Sequence, residues 1–144
     1  MRLPAAVLAA AAALALSLPA AAQTVGSCAR GASIQPDTPW VLFDLGSAAL
    51  RPDARPVIAQ AAAKAKATQA VGICLVGQTD KLGDKALNAR LAEARARSVA
   101  AELIREGYPA NKITIAANPE AFGNLSLGGS DASEKDRRVS ILFK

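Results

Sequence analysis

The chain of 144 residues contains no histidine. That absence excludes histidine-containing catalytic triads, histidine metal ligands and imidazole acid–base chemistry. Cysteine occurs only twice, as Cys28 and Cys74, too few to build a structural zinc site alone. Aromatic residues are 3% of the chain, which leaves no stacking platform for single-stranded nucleic acid. The glycines match no phosphate-cradling loop. Beyond Ala22 the sequence has no long apolar run and no series of alternating segments, so it carries the pattern neither of helical membrane spans nor of an outer-membrane barrel.

What is present begins with Arg2, an apolar run from Leu3 to Leu18, then Pro19 and Ala20-Ala21-Ala22. A basic start, an apolar centre and small residues at its end are the layout of a secretory signal, with cleavage expected after Ala22. The apolar centre falls short of the ~20 residues of a span, and Pro19 interrupts it. The formal net charge is +5, of which Arg2 supplies one, leaving +4 for residues 23–144. Basic residues are scattered among Asp and Glu, a pattern weak for nucleic acid but suited to an anionic envelope polymer. Export permits Cys28 and Cys74 to oxidise. Cys74 lies in the apolar run Val71-Gly72-Ile73-Cys74-Leu75-Val76, and Cys28 in a Gly/Ser-rich leader able to cross a sheet. The two are therefore candidates for a disulfide, with free thiols as the alternative. Polar Gln23 and Thr24 separate Cys28 from the apolar run and argue against lipid attachment there.

Residues 23–39 read as a leader rich in Gly, Ser, Pro and Thr, with at most a short edge strand. Trp40-Val41-Leu42-Phe43 predicts a first strand. Pro52 and Pro56 sit near a helix start, after which Val57, Ile58, Ala61, Ala62 and Ala65 fall on one face. Ile73 to Val76 predicts a buried strand, Gln78 to Asp84 a polar turn, and Ala86 to Glu106 a long helix. Its inward residues are expected to be Leu87, Leu91, Ala94, Val99, Leu103 and Ile104, with Gly107 and Pro109 ending it. Ile113-Thr114-Ile115 is a third strand, residues 118–136 an irregular excursion, and Val139 to Phe143 a last strand with one buried face. Strands alternating with helices of this length imply helices packed on a partly parallel sheet.

Asp80 stands where a buried strand leaves the sheet, and the crevice beyond strand ends is where open α/β sheets bind ligands. Arg95 follows Leu91 by four residues and Asn88 by seven, so it borders the apolar stripe and needs a partner. A carboxylate and a guanidinium so placed can grip both charges of one amino-acid centre. The plainer reading makes Asp80 a cap of the turn or following helix and Arg95 a member of a routine ion pair. No nucleophile and base stand together, so an enzyme is not expected, and neither a cofactor nor a metal is called for.

Thr79-Asp80-x-x-Gly83, Asn88, Leu91, Arg95-Ala96, Val99, Leu103 and Gly107 resemble the OmpA-like C-terminal domain, the peptidoglycan-associating module of OmpA, Pal and MotB proteins. Phe43-Asp44-Leu45-Gly46-Ser47-Ala48-x-Leu50 and Asp136-Arg137-Arg138-Val139 extend the likeness over residues 40–144. The resemblance implies a β-α-β-α-β-β domain of the α/β (α+β) class, with two main helices on a mixed four-stranded sheet. It also implies an exported envelope protein that holds the diaminopimelate of the peptidoglycan stem peptide through Asp80 and Arg95. Asn88, Thr79, Asp44 and Gly46 would complete the cleft, and Arg138 would support the site or the last strand. Gln78 departs from the usual His or Tyr, Leu87 from a frequent aromatic, and Asn118-Pro119-Glu120 from a usual Gly-Glu. A scaffold that keeps the fold, pairs Asp80 with Arg95 and binds other envelope proteins is the alternative.

Overall fold

A computed structural model describes Cys28 and residues 35–79, 84–116 and 134–144. Four strands, β1 (Trp40–Leu42), β2 (Ile73–Gly77), β3 (Ile113–Ala116) and β4 (Arg138–Phe143), form one sheet in the order β1-β4-β2-β3. β2 and β3 pair in parallel, while β4 runs antiparallel to both β1 and β2. Two helices, α1 (Ala54–Ala67) and α2 (Lys85–Arg105), follow β1 and β2. This is the mixed four-stranded sheet with two helices that the family resemblance implies.

Both helices pack on one face. Val41 and Phe43, Ile73 and Leu75, Ile113 and Ile115, and Val139 and Ile141 point to that side at the two-residue period of strands. They meet Ile58, Ala61, Ala62 and Ala65 of α1 and Ala96, Val99, Ala100 and Leu103 of α2. Alanine dominates both helix faces, so the helix backbones come close to the strands. Gly77 marks the closest approach: a Cβ there would lie 2.7 Å from the carbonyl carbon of Ala92.

The buried face of α2 is Ala92, Arg95, Ala96, Val99, Ala100, Glu102 and Leu103; of the expected inward residues, Leu91 and Ala94 are only half-buried and two more are exposed. Leu87 is 62% exposed and Ile104 39%. At 100° per residue they lie roughly 120° and 140° round the helix from Val99, off the stripe that faces the sheet. The helix begins at Asp84, whose side chain accepts from the N–H groups of Ala86 and Leu87. It ends with Tyr108 N–H donating to Leu103 O and Gly107 N–H to Ile104 O, Gly107 having φ +84°. Those are the two bonds of a Schellman stop.

The second face of the sheet is buried as well. Arg138, Ser140 and Leu142 alternate with the core-facing residues of β4 yet are all buried, so this strand has two covered faces and not the one expected. Cys74, Val76, Ala116 and Leu142 form a small cluster there against which Cys28 packs. Cys28 and Cys74 are joined by a disulfide with a Cα–Cα distance of 5.8 Å, which leaves no Cys28 thiol for a lipid.

Candidate functional site

The residues singled out by sequence converge at one end of the sheet. Asp44 and Gly46 lie in the loop that leaves β1, Gln78 and Thr79 follow β2, Arg138 opens β4, and Asn88 and Arg95 stand on α2. Asp80 lies outside the described residues.

Arg95 is at the centre and is completely buried. A guanidinium carries five donors in a fixed fork, and here the fork spans two loops. Its Nε donates to Ser47 O at 2.8 Å, Nη2 to Asp44 O at 3.0 Å and Nη1 to Gln78 O at 3.3 Å. Its Cζ lies 5.4 Å from the centroid of the Phe43 ring, a cation–π distance. The sequence places Arg95 at the border of the apolar stripe; the structure puts it within the buried face. Carbonyl dipoles and an aromatic ring together make that burial tolerable. The reach depends on Gly77. Only a residue without Cβ lets Ala92 sit against β2, and Ala92 and Arg95 share a helix face at i and i+3.

The loop after β1 is fixed on several sides. Gly46 takes φ +66°, and the space where a Cβ would stand is open to 4 Å, so glycine is favoured there for conformation and not for room. Ser47 N–H closes the turn onto Asp44 O at 3.1 Å. Ser98 Oγ, one turn after Arg95, donates to Ala48 O at 2.6 Å. Arg51 Nη1 meets Glu134 at 2.9 Å and Asp44 at 3.9 Å, while its Nε meets Asp53 at 3.5 Å. Its pKa is raised, first by the Glu134 hydrogen bond and then by Asp53. These contacts are exposed and individually weak. The Asp44 carboxylate itself is 73% exposed, so its carbonyl serves the interior and its side chain faces solvent.

Arg138 is buried too. Its Nε donates to Gln78 Oε1 at 2.6 Å and its Cζ lies 5.0 Å from the Trp40 ring centroid. Burial lowers its pKa, and Asp136 partly offsets this. Gln78 thus serves both arginines, through its main-chain oxygen to Arg95 and its side chain to Arg138. Gln78 and Thr79 are each 8% exposed. Asn88 is half-buried, seven residues before Arg95 on the same helix. Cys28 and Cys74 do not join this group; they sit on the sheet face away from the helices.

Ser98, Arg51 and the Gln78 carbonyl are absent from the residues chosen by sequence. Ser98 carries one signal, its i+3 spacing from Arg95. The others bond to groups that no sequence spacing marks. Among the described residues no group of His, Cys, Asp or Glu could hold a metal ion. None of their helices is long and apolar enough to cross a membrane.

A model of the OmpA family matches residues 42–139. Outer membrane protein A of Bordetella avium is 33% identical over 99 residues, 69% of this chain and 51% of that protein. The outer-membrane lipoprotein YfiB of Pseudomonas aeruginosa is 34% identical over 106 residues, 71% of this chain and 61% of its own length. The chain spans about half the length of the first curated relatives it matches. Among solved structures, the peptidoglycan-associated lipoprotein of Burkholderia pseudomallei aligns with a TM-score of 0.63 at 25% identity, covering 73% of this chain and 89% of that one. The periplasmic domain of Helicobacter pylori MotB (residues 97–256) aligns with a TM-score of 0.59 at 25% identity, covering 72% and 76%.

Proposed function

The chain belongs to the OmpA family, and on that premise we propose that it is an exported, non-catalytic protein that binds peptidoglycan in the cell envelope. Residues 1–22 act as its export signal, residues 23–39 as a leader and residues 40–144 as the binding domain. Asp80 accepts hydrogen bonds from the ammonium of the diaminopimelate side chain, and Arg95 attracts the neighbouring carboxylate. Thr79, Asn88, Asp44 and Gly46 shape the cleft around that zwitterion, and Arg138 supports it through Gln78.

One observation carries this reading: a fully buried guanidinium held by three main-chain carbonyls at the meeting point of the two loops. A guanidinium fixed in this way stands as a positive charge at the meeting point of the two loops, the sign that attracts an anionic group. The name of a structural relative, peptidoglycan-associated lipoprotein, points to the same polymer. The burial of Arg95 also suits the scaffold reading, in which Asp80 and Arg95 are paired to each other.

Sedimentation with purified sacculi separates the two. Wild type should pellet with sacculi, Asp80→Ala should stay largely in the supernatant, and Arg95→Lys should pellet weakly while melting cooperatively. Wild type that remains in the supernatant, or an Asp80→Ala protein that pellets as well as wild type, ends the proposal and leaves the scaffold.

A further inference from the structure

Arg95 and Ser98 stand one turn apart on α2 and take three carbonyls from a five-residue stretch: Asp44 O, Ser47 O and Ala48 O. The peptide bonds of the described residues are all trans. A trans peptide holds its N–H opposite its C=O. With these carbonyls turned toward the helix, the N–H groups of Leu45 and Ala48 are turned away from it, and that of Ala49 is taken up by Ser47 Oγ at 3.1 Å. The helix therefore decides which edge of the loop faces outward. Leu45 and Gly46, at the loop's tip, are exposed, and on the solvent side the loop meets Arg51 through the long 3.9 Å contact to Asp44.

From this we infer that Ser98 is a positioning residue for the peptidoglycan site: its bond to Ala48 O, with those of Arg95, sets the 44–48 loop in the form a ligand meets. The inference rests on the function proposed above. The peptide after Ala48 is held within the loop by Ala49 N–H donating to Ser47 Oγ, and the bond of Ser98 to its carbonyl ties it to the helix. The hydroxyl also lies 3.1 Å from Ala94 O, so Ser98 without the loop would turn back on its own helix, as serines in helices do. The short 2.6 Å contact to Ala48 O is the better bond and holds the side chain toward the loop.

The test uses the whole protein as Ser98→Ala and Ser98→Thr. Amide exchange of Ser47 and Ala49, followed by NMR, reports the loop directly, and titration with sacculi reports the site. In Ser98→Ala both amides should exchange about fivefold faster and sacculi binding should weaken by a similar factor, the loss expected of one ordinary hydrogen bond. Ser98→Thr keeps the hydroxyl and should restore both. Unchanged exchange in the alanine variant, or faster exchange with unchanged binding, overturns the inference. Wild type that does not sediment with sacculi overturns the function reading instead, whatever the amides show.

Discussion

Tyr108 is the single tyrosine of the chain and is 4% exposed. Burial raises its pKa above the ordinary 10.0, because the phenolate is the form that loses hydration. The folded protein then holds the phenolic proton more tightly than the unfolded chain does. Its contribution to stability is complete below pH 10.0 and is lost as pH rises through the folded value. Denaturation midpoints of wild type and Tyr108→Phe should run parallel at neutral pH and diverge in alkali, wild type falling further. Parallel curves throughout would show that the phenol is hydrated in the folded state. At this scale the sequence points to Arg95 and Arg138 as the arginines that matter, yet sets Arg95 at the border of the apolar stripe and not within it. Hydropathy assigns arginine to the surface, and only folded geometry shows that carbonyls, Gln78 and the rings of Phe43 and Trp40 surround these two. Ser98 shows in the sequence only its spacing from Arg95, because its partner is a main-chain oxygen fifty residues away.

Elements are more legible in the sequence than residues. Every strand and both main helices lie where the apolar periodicity and the Gly107-Pro109 stop put them, with ends shifted by a residue or so. The face of α2 is less legible. Spacings of three and four drift round a long helix, and they draw Leu87 and Ile104 into a stripe that Ala92, Ala96 and Ala100 occupy. Small residues carry little hydropathy signal, although they set the distance between helix and sheet. Gly77→Ala tests that distance. Its new methyl would meet the Ala92 carbonyl, and overpacking of this kind costs about 1–3 kcal/mol. A urea midpoint lowered accordingly, with weaker retention on sacculi, is the expected result. A variant as stable as wild type would mean that α2 shifts outward at no cost.

For the molecule as a whole, the covered second face of the sheet is the feature that strand patterns suggest least. Periodicity in Val139, Ile141 and Phe143 shows one core, and Ser140 and Arg138 look solvent-facing beside them. Cys28 packs on that side, and its bond to Cys74 closes a loop across a sequence separation of 46 residues. Loop-closure entropy for such a link is about 4 kcal/mol. Cys28→Ser/Cys74→Ser, or wild type in reductant, should lose several kcal/mol in chemical denaturation; a midpoint unmoved by reductant would show that the cross-link adds nothing to stability.

The sheet order has a further consequence. β4, the last strand in chain order, lies between β1 and β2, so β1 has no neighbour in the sheet until β4 arrives. A chain emerging amino end first can pair β2 with β3 but must keep β1 waiting for a partner strand. The loop of Asp44 to Ala48 and the helix that grips it belong to different halves of that unfinished sheet. Closure of the whole sheet, and with it the cleft, therefore waits for the last strand, joined by contacts distant in sequence and slow to form.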